Sequence, residues 1–151
     1  MALDQTALRR ELGKAFDKNA AGFLGAVANN QEAKDRTTQG WANALEACCA
    51  SIVPPSTTLA AARVAFESAM AGAFTDTTGA AFLAAFQTFA TALAGGMAPA
   101  FVGTPPVAPP NLSAPVTDLS AALDAHAAAI ATWLTTGSAT PAGGGASAPW
   151  A

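Results

Sequence analysis

The chain has 151 residues and a net charge of −3, a size that fits one domain with its own core. Only 11% of its residues are charged, and they form no basic stripe, so the composition argues against a duplex or sequence-specific nucleic-acid partner. Its basic residues all lie at or before Arg63, and no charged residue occurs between Asp76 and Asp118. Because an uncharged surface tends to associate, we expect the C-terminal half to contact other proteins.

Alanine-rich segments separated by glycine and proline predict an all-α fold, a small helical bundle. Asp4 can cap a first helix that runs to about Lys18. The polar segment 29–40 predicts a solvated helical face, to which we assign no role. The segment that follows ends at a pair of prolines and predicts a buried stripe made of Trp41, Leu45, Cys48 and Ile52.

The sequence predicts two further helices, and because only a short loop joins them, we expect them to form a central antiparallel hairpin. The hydroxyls of Ser56, Thr57 and Thr58 are candidate caps for its first helix, which aligns Leu59, Ala62, Phe66, Met70 and Phe74. Residues 76–79 break that helix and cap the next, which ends at Gly95-Gly96 and aligns Phe82, Phe86, Phe89 and Leu93.

Residues 97–115 predict an extended strap, since proline fixes the backbone angle and removes a hydrogen-bond donor. Its prolines are Pro99, Pro105, Pro106, Pro109 and Pro110, with Pro115 at the edge of the next element. We expect Phe101 to be its main buried contact. The sequence Thr104-Pro105-Pro106 could also be a ligand for proline-recognising domains, but a strap across the bundle is the interpretation we adopt.

A last helix is predicted from about Pro115 to Thr136, with a stripe made of Val116, Leu119, Leu123, His126, Ile130 and Trp133. Because His126 falls within this stripe, we expect it to be largely buried, neutral and bonded to a carbonyl rather than to act as a catalytic base. Asp124 lies two positions away and points to another face, so no catalytic dyad is implied.

The predicted organisation is a single helical domain, residues 1–136, which includes the strap, and an extended Gly/Pro-rich tail, residues 137–151. Gly143-Gly144-Gly145 has no local means of holding one conformation. We therefore expect the tail to be ordered through Trp150, docked on a neighbouring subunit; the alternative is that it folds back on its own subunit.

No motif of a catalytic, cofactor or metal site is present. The single histidine and the adjacent Cys48-Cys49 lack zinc-ligand spacing, and no Gly-Lys-Ser/Thr phosphate loop occurs. We predict no catalytic residues, no cofactor, no metal and no small-molecule substrate. Cys48 and Cys49 are expected to be buried thiols, with an intermolecular disulfide as the alternative. Polar residues interrupt segment 80–102, so we expect no membrane span, and the N-terminus lacks signal-peptide features.

The order of features in residues 50–151 resembles small structural proteins encoded in the virion modules of tailed bacteriophages. The resemblance rests on Val53-Pro54-Pro55, the phenylalanine-bearing hairpin, residues 95–101, Thr104-Pro105-Pro106, a helix ending Trp133-Leu-Thr-Thr-Gly137, and a tail with Trp150. It implies a protein without an active site, assembled into a virion in the host cytoplasm. Its partners would be itself and other virion proteins in a ring or tube at the neck, tail or baseplate. The expected interface residues are Phe101, Pro105, Pro106, Trp133 and Trp150.

Two other functions stay open. The first is a secreted, alanine-rich helical-hairpin protein of a bacterial secretion system. Trp41 is followed by Ala42 and does not make the Trp-x-Gly turn of such hairpins, which counts against it. The second is a small enzyme, for which the sequence offers no constellation of residues.

Overall fold

A computed structural model of the chain describes residues 3–113 and 118–151. Within them the protein is mostly helical and carries a small antiparallel sheet in the order β1-β2-β3. The helices are α1 (Gln5–Phe16), α2 (Asn30–Cys49), α3 (Leu59–Ala73), α4 (Ala80–Gly95) and α5 (Leu119–Leu134). The strands are β1 (Phe101–Thr104), β2 (Ser138–Pro141) and β3 (Ala148–Pro149).

Helices α1 and α2 form the first hairpin, and polar side chains begin both of them. The carboxylate of Asp4 accepts a hydrogen bond from the Ala7 amide at 2.8 Å, which confirms the predicted cap. The side chain of Asn29 accepts one from the Glu32 amide at 2.9 Å. The polar segment and the apolar stripe after it therefore form one continuous helix, buried mainly in its second half.

Helices α3 and α4 form the predicted antiparallel hairpin, and Asp76 caps α4 through the Ala81 amide at 2.7 Å. The predicted capping of α3 by Ser56 and Thr58 is wrong. Their hydroxyls bond the last carbonyls of α4 instead, at 2.7 Å to Leu93 and 2.6 Å to Ala92. The physical reason is that a helix ends with carbonyls that have no partner in the helix, and this loop passes beside them.

The core is organised around Phe86 of α4. Its ring lies 5.4 Å from Trp41, 5.3 Å from Phe66 and 6.2 Å from Trp133, measured between ring centroids. All three pairs are edge-on, a favoured arrangement for aromatic rings. One side chain thereby joins α2, α3, α4 and α5.

Helix α5 begins after Asp118, whose carboxylate accepts a hydrogen bond from the Ala121 amide at 2.7 Å. The predicted start at Pro115, and Val116 with it, lie outside the described residues. Leu119 is 49% exposed, so its predicted place in the buried stripe is wrong. It lies in the first turn of the helix, and packing begins one turn later with Leu123.

The small sheet corrects the all-α prediction. Strand β1, from the strap, pairs with β2, and β2 pairs with β3, both from the predicted tail. Strands of four and two residues are too short to show a two-residue period. Their pairing also joins segments far apart in sequence, which no local pattern indicates. None of the helices in residues 3–113 and 118–151 is long and apolar enough to cross a membrane.

Candidate interaction surface

The first part of the strap is strand β1, which packs against α4. A side-chain carbon placed on Gly103 would lie 2.5 Å from the Ala94 carbonyl oxygen, so only glycine permits this approach. Phe101 is half-buried on the same side. Since side chains alternate along a strand, Val102 points away from the helices and is 61% exposed.

The second part of the strap, residues 105–113, is held by two side chains of α5. The indole nitrogen of Trp133 donates a hydrogen bond to the Ala108 carbonyl at 2.6 Å. The Nε2 atom of His126 lies 3.0 Å from the Leu112 carbonyl oxygen. These contacts fix the strap by its backbone, so its side chains need not all face the bundle.

The buried contacts of the strap differ from the prediction. Met97, Pro106 and Pro110 are buried, whereas Phe101 is only half-buried. Val107, next to the buried Pro106, is 97% exposed. Phe101 is only half-buried because it begins β1, an edge strand of the sheet, and packs against the core from that edge.

His126 bonds a carbonyl, as predicted, but it is half-buried because the strap covers only part of the ring. Its ring centroid lies 6.0 Å from that of Trp41. Asp124 instead bonds Arg9 of α1 at 2.5 Å. His126 and Asp124 therefore bond different partners, in agreement with the expectation that they form no dyad.

Trp150 is 1% exposed and lies in a pocket of its own chain. Its amide donates to the Gly137 carbonyl and its indole nitrogen to the Ser138 carbonyl, both at 2.9 Å. A side-chain carbon on Gly137 would lie 2.5 Å from the indole ring, so the pocket depends on glycine there. The sequence predicts that Trp150 docks on a neighbouring subunit; the structure instead shows the alternative, in which the tail folds back on its own subunit.

The tail folds back on its own chain because its end forms backbone hydrogen bonds on both sides. Val53 and Ala151 exchange two hydrogen bonds, at 2.6 Å and 3.1 Å, so the end of the tail lies between Val53 and β2. Sequence reasoning missed both Gly137 and Val53. Gly137 follows a helix and signals only a helix end, and the pairing of Val53 with residue 151 has no sequence signal.

The strap, the sheet and the outer side of α5 form an uncharged face, which we define as residues 97–113 and 128–151. These ranges contain no charged side chain. Two shallow hollows share Thr132: the first lies on this face, and the second lies at its border with the N-terminal residues. One, of about 370 Å³, is lined by Asn111, Ala128, Ala129, Thr132 and Trp133. The other, of about 330 Å³, is lined by Leu3, Gln5, Ala131, Thr132, Thr135, Trp150 and Ala151.

The five residues predicted as interface residues have mainly internal roles in this structure. Pro106, Trp133 and Trp150 are buried, and Phe101 and Pro105 are half-buried. These five residues pack beneath the exposed residues of the uncharged face. The large apolar side chains that the face exposes are those of Val102 and Val107, which sequence reasoning did not single out.

The N-terminal half offers polar hollows of a different kind. One, of about 540 Å³, lies between α1 and α2, and its charged groups pair with each other: Lys14 with Glu11 at 2.8 Å and Arg36 with Glu32 at 3.3 Å. Burial raises the pKa of Glu11, but hydrogen bonds from Lys14 and Arg10 outweigh it and leave that pKa below its ordinary value. Within the described ranges, no group of three or more histidine, cysteine, aspartate or glutamate side chains could hold a metal ion.

Cys48 and Cys49 are both buried and unpaired with each other in the described structure. A hydrogen bond with Cys48, together with burial, raises the pKa of the Cys49 thiol well above its ordinary value. The thiolate is the reactive form, so both features make this thiol unreactive. The structure agrees with the interpretation as buried thiols, since an intermolecular disulfide needs a thiol at the surface.

Comparison with known proteins gives no match: no protein-family model matches the chain, and neither a curated protein nor a solved structure does.

Proposed function

We propose that this protein is a structural component of a tailed-phage virion that makes subunit–subunit contacts in a ring or tube through its uncharged face. The observation that carries the proposal is a fixed, uncharged surface with Val102 and Val107 exposed on it. Contiguous apolar and uncharged surface is typical of protein–protein contact sites.

The fixed backbone of the strap supports a binding role. Trp133 and His126 hold residues 105–113 at two carbonyls, and β2 holds residues 101–104 by strand pairing. A surface ordered before binding loses little conformational entropy when a partner docks. Val107 therefore lies next to a backbone carbonyl, that of Ala108, which α5 holds through Trp133.

The structure gives no comparable support to a secreted helical hairpin. Trp41 is buried within the continuous helix α2 and touches Phe86 of α4. In a Trp-x-Gly hairpin that position is a turn between two helices. We therefore keep the virion component as the proposed function.

The first prediction concerns particle incorporation. In a phage deprived of this chain, the wild-type protein supplied in trans should enter the particle, whereas Val102→Asp/Val107→Asp should not, because burying two unpaired carboxylates at a contact is costly. Mass spectrometry of purified particles measures incorporation through peptides of residues 97–151. The matched control is Val64→Asp on α3, since Val64 is 60% exposed, as Val102 is, but lies outside the uncharged face.

Circular dichroism should show all three proteins equally folded, because the substituted side chains are exposed. Equal incorporation of the double variant would mean that the uncharged face is not the contact surface. Absence of the wild-type chain from particles would overturn the proposed function itself.

A further inference from the structure

The last ten residues are attached to the molecule mainly by their far end, where β3 pairs with β2 and Trp150 is buried; at their near end the Ala142 amide donates to the Ala100 carbonyl at 3.0 Å. Residues 142–149 are all exposed, and burial returns only at Trp150. The indole fills the pocket beside Gly137, and Ala151 pairs with Val53. The tail is thus a buried anchor on an exposed connecting segment.

The connecting segment, residues 142–147, can adopt other paths. Gly144 and Gly145 have φ angles of 89° and 142°, which glycine adopts freely and from which it can rotate away freely. A side-chain carbon on Gly143 or Gly144 would meet nothing within 4 Å. Extended, this segment spans about 20 Å, enough to carry the anchor to an adjacent molecule.

The groove that receives the anchor is built from residues that precede the connecting segment 142–147. One wall is β2 with Gly137, and the other is the backbone at Val53. The bonds to the anchor are main-chain bonds, together with the indole bond to the Ser138 carbonyl at 2.9 Å. A second copy of the chain presents an identical anchor, so the groove fits it equally well.

We propose that the groove between β2 and Val53 is an exchangeable docking site, which takes the C-terminal segment 142–151 of a second copy of the chain. This inference rests on the proposed function, because it names a segment that would join neighbouring subunits. Exchange of an identical segment forms no new type of contact, so it opens a low-cost route to dimers or to head-to-tail rings.

Two variants with complementary defects test the exchange. Trp150→Ala removes the anchor and keeps the groove; Gly137→Val blocks the groove and keeps the anchor, since its side chain would overlap the indole. At a concentration below that at which the uncharged face associates, each full-length variant alone should be monomeric by native mass spectrometry. An equimolar mixture should give a heterodimer, because the anchor of the Gly137→Val chain enters the groove of the Trp150→Ala chain.

A synthetic peptide of residues 142–151 gives a second measurement. It should bind the full-length Trp150→Ala chain, and the same peptide with alanine at the tryptophan position should bind at least about thirtyfold more weakly. A mixture that stays monomeric, together with no difference between the two peptides, would overturn the proposal.

If either variant fails to fold, an experiment on the wild-type chain tests the exchange instead. Concentrated wild-type protein, held in urea below its unfolding midpoint and then diluted, should yield a dimer that reverts slowly to monomer. Failure to obtain a slowly reverting dimer at any concentration would then overturn the exchange. These results are independent of the charged variants at Val102 and Val107, so failure of the exchange and failure of the proposed function are distinguishable.

Discussion

Asp76 shows how a single residue joins two helices. Its carboxylate accepts hydrogen bonds from the Ala81 amide at 2.7 Å and the Thr78 amide at 2.9 Å, and so fixes the turn between α3 and α4. These bonds, with a further one from the Thr78 hydroxyl, favour the charged form and lower the pKa of Asp76 below its ordinary value of 3.8.

The second prediction follows from that shift. A carboxylate with a lowered pKa in the folded state contributes stability above its unfolded pKa, and this contribution is lost as pH falls through the folded pKa. Asp76→Ala should therefore lower Tm at about pH 7 and have a much smaller effect at about pH 2. Thermal unfolding followed by circular dichroism at both pH values measures the difference.

Asp35→Ala is the control for this prediction, since Asp35 is an exposed carboxylate on α2 that bonds only the Gln31 side chain among its described contacts. It should change Tm less than Asp76→Ala at the higher pH. An Asp76→Ala deficit of the same size at both pH values would show that the carboxylate charge is not what stabilises the turn.

Gly96 illustrates a residue whose role depends on its surroundings. A side-chain carbon there would lie 2.2 Å from the Thr58 hydroxyl oxygen and 2.3 Å from that of Ser56. These are the hydroxyls that bond the last carbonyls of α4. The glycine thus ends the helix and also leaves space for the groups that satisfy its end.

At the scale of elements, the strap depends on α5 for its position. Trp133 contributes both a buried ring, packed 6.2 Å from Phe86, and a donor to the Ala108 carbonyl at 2.6 Å. The ring belongs to the core, whereas the donor acts on the strap alone. The two contributions can be separated by a substitution that keeps an aromatic ring.

The third prediction is that Trp133→Phe loosens the strap more than the core. Loss of one hydrogen bond should lower the free energy of unfolding by about 0.5–1.5 kcal/mol, plus a smaller term for the lost ring volume. Hydrogen exchange should increase in the strap, at residues 105–113, and much less in α4. Urea unfolding and hydrogen-exchange mass spectrometry measure the two effects.

Trp41→Phe is the matched control, since it makes the same chemical change in α2, where the indole packs 5.4 Å from Phe86. It should destabilise the core without selectively increasing exchange in the strap. Equal exchange in residues 105–113 for the two variants would mean that the bond to Ala108 does not hold the strap.

The elements that the sequence predicts well are those set by local rules. The caps at Asp4 and Asp76 and the hairpin of α3 and α4 follow from side-chain type and helical spacing. The sheet does not, because β1 and β2 lie more than thirty residues apart and are four residues long. The pocket for Trp150 depends on Gly137 and on Val53, and neither has a periodic pattern to reveal it.

For the candidate site, the sequence identifies the region but not the exposed side chains. The uncharged stretch and the proline-rich strap are visible in composition. Which strap residues face outward depends on the pairing register of β1 and on two bonds from α5. Val102 and Val107 are exposed for those reasons, and an isolated valine in a sequence does not show its orientation.

At the scale of the whole molecule, charge is concentrated away from the uncharged face, and many of the charges are paired. Some pairs join helices to one another and others stabilise single helices; they include Arg9 with Asp124, Lys14 with Glu11, Arg36 with Glu32, and Arg63 with Glu46 and Glu67. None of these pairs involves residues 97–113 or 128–151, the uncharged face that the proposed contact uses.

The fourth prediction is that self-association of the full-length chain depends little on ionic strength. Salt screens attraction between charges, but a contact formed by Val102, Val107 and their uncharged surroundings has no charges to screen. Between about 0.05 and 0.5 M sodium chloride, the association constant from sedimentation equilibrium should change by less than about threefold. Ammonium sulfate should strengthen association, because excluded salts favour burial of apolar surface.

Circular dichroism at each salt concentration is the control, so that a change in folding is not counted as a change in association. The Val102→Asp/Val107→Asp protein should stay dissociated in sodium chloride throughout the range. A decrease of tenfold or more in the wild-type association constant would place the contact among charged residues such as the ion pairs of α1 and α2. It would thereby contradict a contact made through the uncharged face, because only charged groups lose that much attraction to screening.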